Sequence, residues 1–186
     1  MHVRSCMPGV FVFMRCCAGA VSEEGDSQQG QAMQISDILE PESVLPAVQA
    51  GSKKQLLQTL SEQAAGRTGL NARLIFDTLM QREKLGSTGL GGGIAIPHGR
   101  FSGLEKVHGL FARLARPVDF DAPDHVPVDI VFLLLAPESA GADHLKALAR
   151  VSRLLRDKEL VEKLRATRDV DALYSLLIED ATPRAA

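Results

Sequence analysis

The sequence predicts an α/β domain in which a sheet lies between helical layers, and three observations carry that expectation. A nearly unbroken apolar run, PVDIVFLLLAP (127–137), is bounded by prolines and reads as a central strand covered on both faces. Two stretches with apolar residues at helical spacing come before it, and three follow it. Helical segments on both sides of the strands in chain order point to a layered α/β arrangement.

The elements follow in order. ISDILEPESVLPAV (35–48) mixes apolar residues with Pro41 and Pro46, which allows a short turn and an edge strand but no long helix. In SKKQLLQTLSEQAAGRTG (52–69), Leu56, Leu57, Leu60 and Ala64 recur at helical spacing, with Ser52 as N-cap and Gly66 as the stop. NARLIFDTLMQREK (71–84) repeats the logic: Asn71 is the cap, Leu74, Ile75 and Leu79 form the buried stripe, and Arg82 and Lys84 close the last turn, where the helix dipole favours cations. GIAIP (93–97) reads as a short strand with His98 at its C-terminal end. KVHGLFARLARPVDF (106–120) alternates at Val107, Leu110 and Ala112 and reads as a further strand before the central run. DHLKALARVSRLLRD, KELVEKLRATRD and VDALYSLLIED are three helical patterns, each opened or closed by Asp.

Length and composition bound the rest. With 186 residues and 45% hydrophobic residues, the chain supports one core of ordinary size and a single domain, expected at 33–180. Residues 1–32 read as a disordered N-terminal extension or as sequence upstream of a true start at Met33, and 181–186 as a disordered tail. The apolar run near the start is interrupted by Arg15, which argues against a secretory signal. A formal net charge of −2 provides no basic field for nucleic acid or an anionic membrane. The absence of Trp and a single Tyr174 argue against a base-stacking surface. Cys6, Cys16 and Cys17 all lie near the N-terminus, which excludes a disulfide framework or a cysteine zinc site in the core and fits a reducing cytoplasm. The longest apolar stretch contains Asp129 and is too short to span a bilayer, so no membrane insertion is expected.

The candidate chemistry centres on GLGGGIAIPHGR (89–100). The imidazole of His98 has its ordinary pKa near neutrality, so a ring nitrogen is available as a nucleophile. Pro97 fixes the chain before it, Gly99 leaves space after it, and strand ends are where α/β sheets place ligands. Gly91, Gly92 and Gly93 would let backbone N–H groups approach an anion, Arg82 offers a charged fork to phosphate oxygens, and Ser87 and Thr88 add hydroxyl donors. Phosphoryl transfer asks a protein mainly for positioning and charge stabilisation, and this loop contains groups of both kinds. The glycines match neither a P-loop, since no Gly-Lys-Ser/Thr follows, nor a dinucleotide fingerprint, since they precede a strand. From the residues alone, a flexible loop beside a turn histidine stays open as an alternative to a phosphate site.

His144 has two readings as well. It is a polar first-turn residue capped by Asp143, or a partner of His98 if its helix starts beside the strand ends. His108 and His125 show no partner in the pattern. No two histidines have the i, i+2 or i, i+4 spacing of common zinc sites, so no metal is expected.

REKLGSTGLGGGIAIPHGR (82–100) resembles the active-site segment of enzyme IIA domains of the fructose and mannitol class of the bacterial phosphotransferase system. The EKLGSTG version without attached domains resembles their nitrogen-regulatory branch. PVDFDAPDHVPVDIVFLLLAPESAGADHLKALARVSRLLRD (117–157) resembles the second half of the same family, and the likeness extends over 34–179. It implies a three-layer α/β/α sandwich with a mixed sheet. It also implies that His98 accepts a phosphoryl group, as a tele-phosphohistidine, from a phosphohistidine on HPr or an HPr-like carrier. By the same resemblance, His144 supports the phosphorylated ring and Arg82 is the active-site arginine. A phosphohistidine donor is already activated, so no cofactor is implied. One departure is visible, since the family usually has asparagine where this chain has Gly92. The function implied is that of a cytoplasmic phosphocarrier that regulates target proteins through its phosphorylation state. The alternatives are a sugar-specific enzyme IIA that serves a IIB domain, and a binding module that no longer needs phosphorylation.

Overall fold

The computed structural model describes residues 33–179. The N-terminal extension with its three cysteines and the C-terminal tail lie outside the described residues. After a 3-10 turn at Ile35–Asp37 come β1 (Leu39–Val48), α1 (Lys53–Thr68), α2 (Ala72–Lys84), β2 (Gly89–Gly91), β3 (Ile94–Ala95), β4 (His98–Phe101), β5 (His108–Val118), β6 (Val128–Pro137), α3 (Gly141–Leu154), α4 (Lys158–Ala166) and α5 (Val170–Glu179).

The strands form one mixed six-stranded sheet in the order β1-β5-β6-β3-β2, with β4 also paired to β6. β6 is central, as its apolar run predicts. Its side chains alternate between two layers. Ile130, Phe132, Leu134 and Ala136 pack with Ala147, Val151, Leu160, Leu164, Leu173 and Leu177 of α3, α4 and α5. Val131, Leu133 and Leu135 pack with Leu56, Leu57, Leu60, Ile75 and Leu79 of α1 and α2. A strand that fills two cores is apolar on both faces, as β6 is after Asp129, and each large side chain so buried contributes about 1.5–3 kcal/mol. β1 takes the edge. Its pairing with β5 shifts register between Leu39 and Val44 and again between Leu45 and Val48, the two intervals that hold Pro41 and Pro46.

Three local expectations change. α1 runs through Gly66 and ends at Gly69, whose φ of 73° is the left-handed conformation that a helix end asks of glycine, and its N–H bonds to Ala65 O. Within the α2 stripe, Ile75 and Leu79 are buried, but Leu74 is 48% exposed. The third change bears on the site. The GIAIP strand stops at Ala95, and the chain re-forms β4 along the same side of β6, with Ile94 opposite Ile130 and His98 opposite Leu134. Pro97 has no N–H to give, and its carbonyl accepts from Leu134 N at 2.9 Å across the break. His98 therefore starts a strand, where the sequence suggested that it ends one.

Candidate active site

Three elements converge on His98. The C-terminal turn of α2 brings Arg82, the start of β4 carries His98 and, two residues on, Arg100, and the first turn of α3 brings His144. Residues i and i+2 of a strand share a face, which places His98 and Arg100 side by side. Gly99 between them is tightly packed: a Cβ there would lie 3.0 Å from the Phe101 ring and 3.2 Å from Thr78 Cγ2. The space foreseen beside His98 is thus filled by the packing of α2 on β4.

The hydrogen bonds define the state of the His98 ring. Nδ1 lies 2.8 Å from Ile96 O, and a carbonyl can only accept, so Nδ1 carries the proton. Nε2 then holds the lone pair, and Arg82 Nε donates to it at 3.2 Å while Arg82 Nη1 donates to Gly86 O at 3.0 Å. Burial pushes the His98 pKa below the ordinary histidine value, and Arg82 lowers it further, against the Ile96 bond and the Glu83 charge, which raise it. The ring therefore keeps its neutral form to lower pH than an ordinary histidine.

His144 is buried, with 6% of its surface exposed, and its ring centroid lies 5.6 Å from that of His98 at an interplanar angle of 53°. Burial, then the neighbouring His98 and Arg100, lower its pKa too. Arg100 Nε donates to His144 Nδ1 at 3.3 Å. His144 Nε2 is buried and has no hydrogen-bond partner among the described residues. The capping role considered for Asp143 is not what the helix shows. Ala140 is the N-cap without a side-chain bond, and Asp143 pairs with Lys146 at 3.1 Å.

The remaining candidates are held elsewhere or otherwise engaged. Ser87 Oγ donates to Phe120 O at 2.9 Å. Thr88 is buried, and both its hydroxyl and its N–H bond to the carboxylate of Glu83, which in turn pairs with Lys53 Nζ at 2.9 Å. These two hydroxyls shape the loop after α2. The structure does not bring Gly91, Gly92 and Gly93 to His98. They form the β2–β3 hairpin against Ile130, four residues or about 13 Å along β6 from Leu134, the partner of His98. Gly92 N donates to Asp124 Oδ2 at 2.7 Å, and Gly92 O accepts from Arg165 Nη2 at 2.6 Å. The residue that sequence reasoning passed over is Arg100. Its one legible signal is its i+2 position relative to His98.

The mixed sheet between two helical layers that carries His98 and His144 is a fold shared with solved enzyme IIA proteins. The nitrogen regulatory protein IIA-Ntr from Neisseria meningitidis superposes with a TM-score of 0.73 at 38% identity, covering 77% of this chain and 98% of that one. The IIA mannitol structure from Escherichia coli, at 24% identity, shares the fold with a TM-score of 0.63 over 74% of this chain and 97% of that one. Residues 37–180 match the family described as phosphoenolpyruvate-dependent sugar phosphotransferase system, EIIA 2, and the chain belongs to that family. The nitrogen regulatory protein of Bradyrhizobium diazoefficiens is 61% identical over 145 residues, 78% of this chain and 95% of that protein. Membership makes this chain a phosphotransferase component of the enzyme IIA type.

Proposed function

We propose that the protein is a regulatory phosphocarrier that accepts a phosphoryl group on Nε2 of His98 from a phosphohistidine of an HPr-like protein in the cytoplasm, and that its phosphorylation state selects its targets. The observation that carries this reading is the His98 tautomer, with the proton held by Ile96 O and the lone pair left on Nε2.

The transfer balances without a further reactant. The Nε2 lone pair attacks phosphorus in line as the donor's P–N bond breaks, and that bond's electron pair returns to the donor nitrogen. The ring proton of His98 stays on Nδ1, hydrogen-bonded to Ile96 O, where it meets the positive charge that develops on the ring. One P–N bond replaces another, so the step is close to thermally balanced and reversible. Arg82 now covers the attacking lone pair. It moves from Nε2 to the phosphoryl oxygens as the bond forms, a charge-assisted contact that strengthens with the developing charge. His144, adjacent and buried, contributes a polar edge to the same group.

Support for the regulatory role comes from the relatives named nitrogen regulatory proteins, at 61% and 39% identity for those of Bradyrhizobium diazoefficiens and Escherichia coli. The family's own description as a sugar phosphotransferase component favours a second reading, delivery of the phosphoryl group to a IIB domain. Purified IIB domains separate the two, since the regulatory reading expects the phosphoryl group to stay on this chain. Incubation with phosphoenolpyruvate, enzyme I and an HPr-like carrier tests the shared core. The protein should gain the mass of one acid-labile phosphoryl group, and His98→Ala should gain none. A wild-type mass that stays unchanged would leave a binding module without phosphotransfer.

A further inference from the structure

We propose that Arg100 is a positioning residue that holds the proton of His144 on Nε2, so that His144 meets a phosphoryl group on His98 as a hydrogen-bond donor; the assignment rests on the phosphoryl acceptance proposed above. A neutral imidazole carries one N–H, and the partner of one nitrogen decides which nitrogen has it. A guanidinium has donors only. With Arg100 Nε 3.3 Å from Nδ1, that nitrogen must hold the lone pair, and the proton sits on Nε2. That N–H is buried and unpartnered among the described residues, an unfavourable condition for a donor. The His144 and His98 ring centroids lie 5.6 Å apart.

The other tautomer would fail twice. Nδ1–H would face the Arg100 N–H donor to donor, and Nε2 would turn a lone pair toward anionic phosphoryl oxygens. Arg100 therefore sets the sign of the contact. The unphosphorylated protein leaves a buried donor unmet, and a phosphoryl oxygen on His98 supplies the acceptor. β4 makes this possible by alternation, since His98 and Arg100 lie on one face of the strand and both adjoin His144.

Arg100 is exposed, so substitutions there are compatible with folding. Two near-isosteric variants separate donor from charge. Arg100→Gln keeps an N–H at the position of Nε without the charge, and Arg100→Glu replaces the donor with an acceptor. Long-range ¹H–¹⁵N spectra of the full chain, recorded above the titration of both rings, report the tautomer of His144 directly. Wild type and Arg100→Gln should carry the proton on Nε2, and Arg100→Glu on Nδ1. Phosphoryl uptake from the HPr-like carrier should be close to wild type in Arg100→Gln and about 10–100-fold slower in Arg100→Glu. A wild-type proton on Nδ1, an unchanged tautomer in Arg100→Glu, or equal slowing in both variants would overturn the role of Arg100. The spectra do not depend on phosphotransfer, so a wild type with the expected tautomer that takes up no phosphoryl group would overturn the functional reading alone.

Discussion

Two ends of one strand line, laid along the same side of β6, both have arginine nearby, and they differ in how fully their polar groups are paired. At the hairpin end, the polar groups of Gly92, Gly93 O and the Arg165 guanidinium are paired. Gly92 N–H is on Asp124, Gly92 O is on Arg165, and Gly93 O accepts from Asp129 N and Ile130 N. Arg165 is held by Asp129 at 2.8 Å and Glu162 at 2.8 Å, and the Asp129 bond raises its pKa above the usual arginine value. At the His98 end, Arg82 Nε donates to His98 Nε2, and the buried His144 Nε2 has no partner among the described residues. Satisfied groups make a scaffold, whereas groups left waiting make a site. The glycine run is a hairpin turn tied to Asp124 and Arg165, and His98 lies about 13 Å farther along β6.

The largest expected effect that sharpens this contrast is on rate. Arg82→Met should slow phosphoryl uptake by about 10²–10³-fold, the usual consequence of losing one donor to a developing anion, and leave the unfolding midpoint near wild type. Next comes a stability effect at the other end. Gly93 has a φ of 82°, and a Cβ there would lie 2.6 Å from Arg165 Nη2 and 2.9 Å from Asp129 Oδ1. Gly93→Ala should therefore destabilise by about 2 kcal/mol or more in denaturant unfolding, with uptake per folded molecule unchanged. If it slowed uptake in the folded protein, the division between scaffold and site would break.

A smaller effect depends on pH. Burial holds both His98 and His144 below the ordinary histidine pKa, so between that value and their folded values the unfolded chain binds more protons. Stability is then fully present above about pH 6.5 and falls as pH drops through the folded values. Denaturant midpoints at neutral and mildly acid pH should show this fall, and His144→Gln should reduce it. The smallest effect concerns the departure from the family pattern. Gly92 and Gly93 both have positive φ, as a type I′ hairpin turn requires, and Asn-Gly is a preferred pair for that turn. A Cβ on Gly92 meets nothing within 4 Å, so Gly92→Asn should change stability by about 0.5 kcal/mol or less, toward stabilisation.

Much of the fold was readable because its signals are local. Ser52 and Asn71 cap their helices as the sequence indicates, with side chains that accept from Gln55 N and from Arg73 N and Leu74 N. β6 declared itself because a strand between two cores has no polar face. The misread positions depended on distant partners. Gly66 and Gly69 are alike in sequence, and only the left-handed turn at Gly69 distinguishes the true helix end. The placement of the hairpin glycines away from His98 had no local signal, since the groups that tie them, Asp124 on Gly92 N–H and Arg165 on Gly92 O, are 32 and 73 residues from Gly92. Arg100 showed only its i+2 spacing from His98, since its partner His144 is 44 residues away. His98 was legible as a candidate, and its tautomer required the fold that turns Ile96 O onto Nδ1.

The most direct test of the account is ¹⁵N and ³¹P NMR of the phosphorylated protein with ¹⁵N-labelled histidine. One phosphorus coupled to Nε2 of His98 is expected, with the Nδ1 proton retained and the His144 Nε2–H resonance shifted by its new acceptor. Phosphorus on Nδ1 of His98, or on His144, would contradict it.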